Sequence, residues 1–284
     1  MRVWVRCSTP IPQAKMEFAK NILIRWQEQI AAMPAAAFYL LNGLVLAFVI
    51  FVPLERIFPL HRQTIFRRGF LRDVGLYFLN NLLPAILLLL PLSLVVGILS
   101  RFIPAGYLAW VKELPYWVKL LAAFVVGDIG SYWGHRWSHE WPTMWRFHLV
   151  HHRAEELDWL VNVRMHPLDT VFTRFCGMVP IYLLGLAQVS GNSLEEKPLL
   201  VVLVTSLWGY FVHANVRWRF GWLEQIIATP AFHHWHHNND GPDKFNKNYA
   251  ANFPWIDRLF GTLYLPPKDH PLSYGVDEKQ NRTS

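Results

Sequence analysis

The chain has 284 residues, enough for one or two soluble domains, but 53% of them are hydrophobic and only 17% are charged. That balance excludes an ordinary soluble protein, and two lone cysteines, Cys7 and Cys176, exclude a disulfide framework, a CxxC motif or a zinc finger. The net charge of +7 does not imply a nucleic-acid partner, because the basic residues form no patch with interleaved aromatics.

Residues 1–32 form a mixed-charge head, read either as an amphipathic surface helix around 15–29 or as a terminal tail. Arg2 and Arg6 are followed by no apolar stretch, so no cleavable signal peptide is expected. Uncharged runs at 30–54 and 74–100 meet the length of about 20 residues that a hydrocarbon core requires and predict spanning helices at about 33–54 and 74–100. Pro84 and Pro91 predict a kink in the second, or its division into a re-entrant pair. Arg56, Arg62, Arg67, Arg68 and Arg72 lie between these runs, where the positive-inside rule places cytoplasmic arginine. The head is basic too, which conflicts with a simple first crossing and leaves an interfacial or re-entrant first helix open.

A turn at 101–115 contains Pro104, Gly106 and Pro115. A third apolar helix starts near Tyr116, is interrupted by Lys119 and Asp128, and runs into His135 and His139. Residues 140–173 are polar, with Glu140, Glu155, Glu156, Asp158 and Asp169, and belong outside the hydrocarbon. Segment 175–216 is apolar but broken at 191–198, and reads as a helical hairpin that leaves and re-enters on one side. The remainder is soluble in composition. The expected fold is all-α: an integral membrane core of about four spanning helices under a cytosolic, histidine-rich helical cap. Its divisions are the head (1–32), the N-terminal membrane helices (33–115), a catalytic domain (116–265) and a polar tail (266–284). No repeat or low-complexity segment is present.

Most of the thirteen histidines fall into three clusters: HRWSH at 135–139, HLVHH at 148–152 and HHWHH at 233–237. His135 and His139 are four apart; His148, His151 and His152 follow an i, i+3, i+4 pattern, as do His233, His236 and His237. Residues three and four apart share a helix face, so each cluster can aim several imidazoles at one point. Eight imidazoles without a thiolate are too many for one tetrahedral zinc and point to two metals, with nitrogen ligands that suit iron among other first-row ions. Arg136 follows His135 where HExxH peptidases carry their glutamate base, which argues against a zinc hydrolase. A metal-scavenging or pH-sensing tract is the plainer alternative; the surrounding Trp141, Trp145, Phe147, Phe232 and Trp235 argue for an ordered site.

Asp128 lies seven residues before His135 on the same face. It is expected to accept the second ring N–H of a ligand histidine, or else to pair with Arg136. His213, in FVHAN, is a ligand or a buried neutral histidine; His166, in RMHP, is a ligand or a supporting group. His234 falls off the helical pattern and is expected to face elsewhere. His61 and His270 flank prolines and receive no role.

Taken in order, these motifs resemble the fatty acid hydroxylase superfamily, which includes sterol desaturases, sterol C4-methyl oxidases and alkylglycerol monooxygenase. HRxxH stands at His135 and HxxHH at His148; NxRxHP stands at Asn162, Arg164, His166 and Pro167. HxN follows at His213 and Asn215, and HxxHH at His233. The segment 248–262 resembles the closing motif around Trp255, Asp257, Phe260, Gly261 and Thr262. The resemblance covers about residues 50–265 and is nearest to the sterol desaturase and alkylglycerol monooxygenase branch. His234 departs from the arginine common there, and the NVRW run after His213 is unusually arginine-rich.

The resemblance implies a membrane core capped by a cytosolic di-iron domain. It carries over His135, His139, His148, His151, His152, His213, His233, His236 and His237 as ligands, with His166 as a ligand or a neighbour of one. It places Asp128, Asn162, Arg164, Asn215 and Asp257 as the groups supporting them. The implied activity is O2 activation at two irons to hydroxylate or desaturate a C–H bond of a lipid such as a fatty acyl chain, sterol or ether lipid. Electrons must come from an external cytochrome- or ferredoxin-type donor with its reductase, since the chain has no Rossmann fingerprint, flavin motif, haem appendage or iron–sulfur cysteines. The location implied is a multi-pass protein of a bacterial inner membrane or the endoplasmic reticulum, histidines on the cytoplasmic face. The competing class is a non-catalytic membrane protein that binds or transports metal; it would need ionisable residues midway along several spans.

Overall fold

The computed structural model describes residues 13–187 and 199–276. Among these residues helices carry the fold, and the only β pairings are isolated bridges, Pro59 with Val216 and Asn238 with Tyr274. Helix α1 (Gln13–Ile57) is continuous through Pro34 and Pro53. No glycine interrupts its first half, so the part of the head from 13 onward is the start of this helix and forms neither a separate surface helix nor a tail. The expected boundary at residue 32 falls inside it. Helix α2 (Phe70–Leu99) begins after Gly69, whose φ of 90° is open to glycine at no steric cost. Pro84 and Pro91 do not divide it.

By length and composition, Lys20–Ile57 and Phe70–Phe102 are able to cross a membrane. Helices α3 (Ala105–Glu113) and α4 (Tyr116–Glu140) make a third candidate if the pair, bent by 118°, counts as one span. The bend sits at Leu114 and Pro115, both extended, because a residue before proline avoids the helical region. The run read from sequence as a turn therefore contains a helix. The estimate of about four spans counted 175–216 as two. Its inner turn, 188–198, lies outside the described residues. Among the described residues, helices α6 (Pro167–Leu183) and α7 (Leu199–His213) have 17 and 15 residues, where a crossing needs roughly 20.

The remaining helices are short: α5 (Pro142–His152), α8 (Pro230–His236) and α9 (Pro254–Leu259). With α6 they share a device. Each has proline at its first turn, where the missing N–H costs nothing and the fixed φ presets the helix. The starting points of the two histidine-bearing helices among them, α5 and α8, are thereby pinned. Helix α4 lies directly against α6, because Gly130 lets the backbone carbonyl of Cys176 approach where a Cβ would collide.

Two apolar clusters flank the cap. One joins Phe51 and Tyr77 of α1 and α2 to Trp159, Leu160 and Tyr210; the other joins Tyr132 to Phe232, Tyr249 and Ile256. A buried ionic clamp ties the loop after α1 to the turn Trp159–Val163. Arg67 donates both Nε and Nη2 to the Asp158 carboxylate, at 2.8 and 2.7 Å, and Nη1 to Asp73 at 2.8 Å.

Candidate metal centre

Nine imidazoles converge in two adjoining groups. His135, His139, His148, His152 and His236 form one; His151, His213, His233 and His237 form the other. Within each group the ligand atoms lie within 4.8 Å of one another. The two HxxHH units are shared reciprocally. In α5 the i and i+4 residues, His148 and His152, enter the first group, while His151 enters the second. In the unit at the end of α8, His233 and His237 enter the second group and His236 the first. Each HxxHH unit thus serves two points, where sequence spacing suggested one. The i and i+4 side chains stack along the helix, and the i+3 side chain leans aside toward the neighbouring site.

The Nε2 atoms face inward. His148 Nε2 lies 3.2 Å from His135 Nε2 and 3.1 Å from His152 Nε2, which is 3.0 Å from His236 Nε2. In the second group His213 Nε2 is 2.8 Å from His233 Nε2 and 3.4 Å from His151 Nε2, and His237 Nε2 is 3.2 Å from His233 Nε2. The outer nitrogens are fixed by acceptors. His135 Nδ1 donates to the Tyr249 carbonyl at 2.7 Å, His148 Nδ1 to Asp169 at 2.8 Å, His236 Nδ1 to the Lys247 carbonyl at 2.8 Å and His213 Nδ1 to the Gly209 carbonyl at 2.8 Å. His139 Nδ1 meets Asn246 Oδ1 at 3.1 Å.

This donor set fits cations. A neutral imidazole that spends its only proton outward on Nδ1 keeps a bare lone pair on Nε2. His135, His148 and His236 therefore turn three lone pairs toward one another, with at most His152 to donate between them. Inward-facing lone pairs 3 Å apart are stable only around a positive charge. His139 Nε2 is a further buried nitrogen with no protein partner. Burial first, then the neighbouring rings, hold His151, His152, His233, His236 and His237 well below the ordinary histidine range, so they are neutral and ligand-ready at pH 7. All nine donors are nitrogen, a set suited to iron, zinc, copper or nickel.

Other predicted site residues stand differently. His166 joins neither group: as the residue before Pro167 it caps α6, its Nδ1 accepting from Leu168 N at 3.2 Å, and its ring packs on Phe147. Asp128 touches no histidine. It accepts from Asn252 N and Nδ2 at 3.1 and 2.9 Å and from Phe253 N at 2.9 Å, so it holds the segment just after Tyr249. A backbone carbonyl does for His135 what the carboxylate was expected to do. Asp257 also acts on this segment, accepting from Tyr249 N at 2.7 Å, Ala250 N at 2.9 Å and Thr262 Oγ1 at 2.7 Å. Asn162 packs against Gly209, whose carbonyl fixes His213. Arg164, its basicity lowered by burial to about 10, donates to the Arg153 carbonyl at the end of α5. Asn215 grips the His61 backbone in both directions, at 2.7 and 2.9 Å. His234 turns away as expected, with Nε2 3.1 Å from the Ala214 carbonyl and Nδ1 3.1 Å from the Tyr274 hydroxyl.

Sequence reasoning gave no role to Asp169, which takes the Nδ1–H of His148 on one oxygen and Ser138 Oγ, at 2.9 Å, on the other. Its position in the first turn of α6, three residues after His166, was the available signal. In the loop Asn246–Lys247–Asn248–Tyr249, sequence reasoning marked only the start of the closing motif at 248 and gave the loop no part in the centre. Asn246 and Asn248 have φ of 56° and 59°, a left-handed conformation that asparagine tolerates. The alternation turns Asn246 Oδ1, the Lys247 carbonyl and the Tyr249 carbonyl toward three histidines of the five-membered group.

The family model described as fatty acid hydroxylase matches residues 120–262, half of the chain and all nine converging histidines. The chain belongs to the fatty acid hydroxylase family. It is similar to an ornithine lipid hydroxylase, OlsE, from Rhizobium tropici, 35% identical over 60% of this chain and 49% of that protein. It is similar to the human alkylglycerol monooxygenase, 31% identical over 56% of this chain and 33% of that protein. A very-long-chain aldehyde decarbonylase, GL1-8, from Oryza sativa subsp. indica is 29% identical over 59% of this chain and 60% of that protein. The chain thus spans between a third and three fifths of these curated relatives. No solved structure matches it.

Proposed function

We propose that this chain is a membrane-bound di-iron oxygenase that uses O2 to hydroxylate a C–H bond of a lipid. The observation that carries the reading is the reciprocal division of nine inward-facing imidazoles into two adjoining groups, inside a chain with helices apolar enough to cross a membrane. His135, His139, His148, His152 and His236 would hold one iron, and His151, His213, His233 and His237 the other. Two irons, when bound, supply the reduction of O2 and the removal of hydrogen from carbon. An external cytochrome- or ferredoxin-type donor with its reductase supplies the electrons. The named relatives include a lipid hydroxylase and a monooxygenase, which supports oxygen insertion into a lipid; desaturation remains the variant outcome of the same chemistry.

The protein's own part is ligation, orientation and shielding. Asp169, Asn246 and the carbonyls of Gly209, Lys247 and Tyr249 set tautomer and ring angle of five of the nine histidines, leaving the Nε2 of each directed inward. Trp145 and Tyr249 pack on His139 at ring distances of 5.2 and 5.1 Å and exclude water from that side. His135 and His139 lie at the end of α4 and His213 closes α7, not midway along a span, which argues against carriage of an ion across the membrane.

The test compares lipid profiles, by mass spectrometry, of cells expressing the wild type and His151→Ala. A lipid that gains one oxygen only with the wild type is the expected result and names the substrate. Loss of two hydrogens would make the enzyme a desaturase. Full activity in both His151→Ala and His236→Ala would refute the metal assignment.

A further inference from the structure

A cavity of about 480 Å³ opens where α1 leaves its apolar span. Arg56, Arg62 and Arg217 line it, and their guanidinium groups form no ion pair or hydrogen bond among the described residues. The two carboxylates in the same wall are already engaged. Glu55 Oε1 accepts from Trp159 N and Asn215 N at 2.8 and 2.9 Å, and Asp158 is held by Arg67. The unmet charge of the cavity is therefore positive. His61 adds a buried ring nitrogen, Nε2, with no partner.

The surroundings say where this charge sits. Ile57 and Ile65 in its lining are 64 and 36% exposed, an apolar collar that water does not favour and a bilayer surface does. Three unpaired arginines inside such a collar match the depth of lipid headgroups, where the stem lies along apolar material and the fork meets an anion in a bidentate pair. The cavity is tied to the metal centre through one short run. His213 belongs to the four-histidine group, Asn215 grips the His61 backbone, Val216 bridges to Pro59, and Arg217 N donates to the Phe58 carbonyl at 3.1 Å.

We propose that this cavity binds the anionic headgroup, a phosphate or carboxylate, of a membrane lipid. A lipid held there lies beside the histidine centre with its apolar part toward the bilayer. The substrate class so implied, a lipid with an anionic headgroup, rests on the oxygenase reading; the binding itself does not. Each basic residue near an anionic surface gives roughly a fivefold preference, so three give a ceiling of about a hundredfold, lowered by salt.

The test is native mass spectrometry of the purified full chain with equimolar phosphatidylglycerol and phosphatidylcholine of identical acyl chains. The wild type is expected to retain phosphatidylglycerol over phosphatidylcholine by at least about tenfold. Arg56→Gln/Arg62→Gln/Arg217→Gln should bring the ratio near one, while Arg68→Gln, outside the cavity, keeps it. Should the triple variant fail to fold, Arg62→Gln and Arg217→Gln singly should each lower the ratio several-fold. Equal retention of the two lipids by the wild type, or an unchanged ratio in the cavity variants, overturns the proposal. Displacement of phosphatidylglycerol by about 10 mM inorganic phosphate, against the weak competition expected of an anion without a lipid tail, overturns it in favour of a free-anion site. If no oxidised lipid is found in any host, the oxygenase reading fails while the retention ratio still stands or falls on its own.

Discussion

Asp169 takes the Nδ1–H of His148 at 2.8 Å and is itself steadied by Ser138. A carboxylate behind a ligand imidazole fixes its tautomer and raises its basicity, and losing such a partner typically costs 10–100-fold in metal affinity. Asp169→Asn is therefore expected to weaken iron binding by about 10–100-fold with the fold intact, read as metal content against chelator concentration. Wild-type retention would remove Asp169 from the centre. His151→Ala and His236→Ala separate the two groups. Each should lose iron mainly from its own group while membrane insertion is unchanged, measured by elemental analysis of the purified chain.

At the scale of elements, the loop 246–249 and the short helix α9 behave as one orienting part. Asn248, fully buried, donates to the Phe232 and Tyr264 carbonyls at 2.9 and 2.7 Å and accepts from Tyr264 N at 2.8 Å. It binds α8 to the strip after α9, and Asp257 holds the next two amides. Asn248→Ala leaves several buried groups unpaired, each costing about 1–3 kcal/mol. It also puts alanine at a φ of 59°. A lower thermal midpoint, with iron lost first from the five-histidine group, is the expected outcome. The Arg67 clamp is the other hinge of the cap. Arg67→Leu strips the Asp158 carboxylate of its arginine and leaves Asp73 with only Arg72 and the more distant Arg164, and should destabilise by about 3–5 kcal/mol in a chemical-denaturation comparison. An unchanged midpoint would show that this clamp does not hold the cap.

For the whole molecule, acid opposes both folding and metal binding. In the unfolded chain the histidines titrate near 6.5, whereas burial holds His151, His152, His233, His236 and His237 well below that value. Below about pH 6.5 the unfolded state binds more protons than the folded one, so stability of the metal-free protein falls as pH falls. Metal competes with those protons, so the loaded protein should keep its thermal midpoint to a lower pH than the metal-free one. Melting both forms between pH 7.5 and 5.5 checks this; parallel curves would mean that the histidines carry no metal.

The sequence by itself determined the helical class, the two apolar runs that became α1 and α2, and the eight clustered histidines that meet, while His213 joined them only through the family resemblance. These follow from local rules, since an uncharged run of sufficient length and histidines three and four apart are properties of neighbouring residues. Only the tertiary structure decided how the histidines are shared. The division of each HxxHH unit between two groups depends on α4, α5, α7 and α8 packing at particular angles, and spacing within one helix carries no information about another. The supporting groups were hidden for the same reason. Asp128 was read by helical register as a partner of a ligand histidine or of Arg136, yet it holds Asn252 and Phe253, 124 and 125 residues away, because a buried carboxylate takes the best N–H donors that the fold brings to it. His166, read by its motif as a ligand or a neighbour of one, caps α6 before Pro167 and joins neither group. Three of the orienting acceptors, at Gly209, Lys247 and Tyr249, are backbone carbonyls, which every residue possesses and no side-chain pattern can single out.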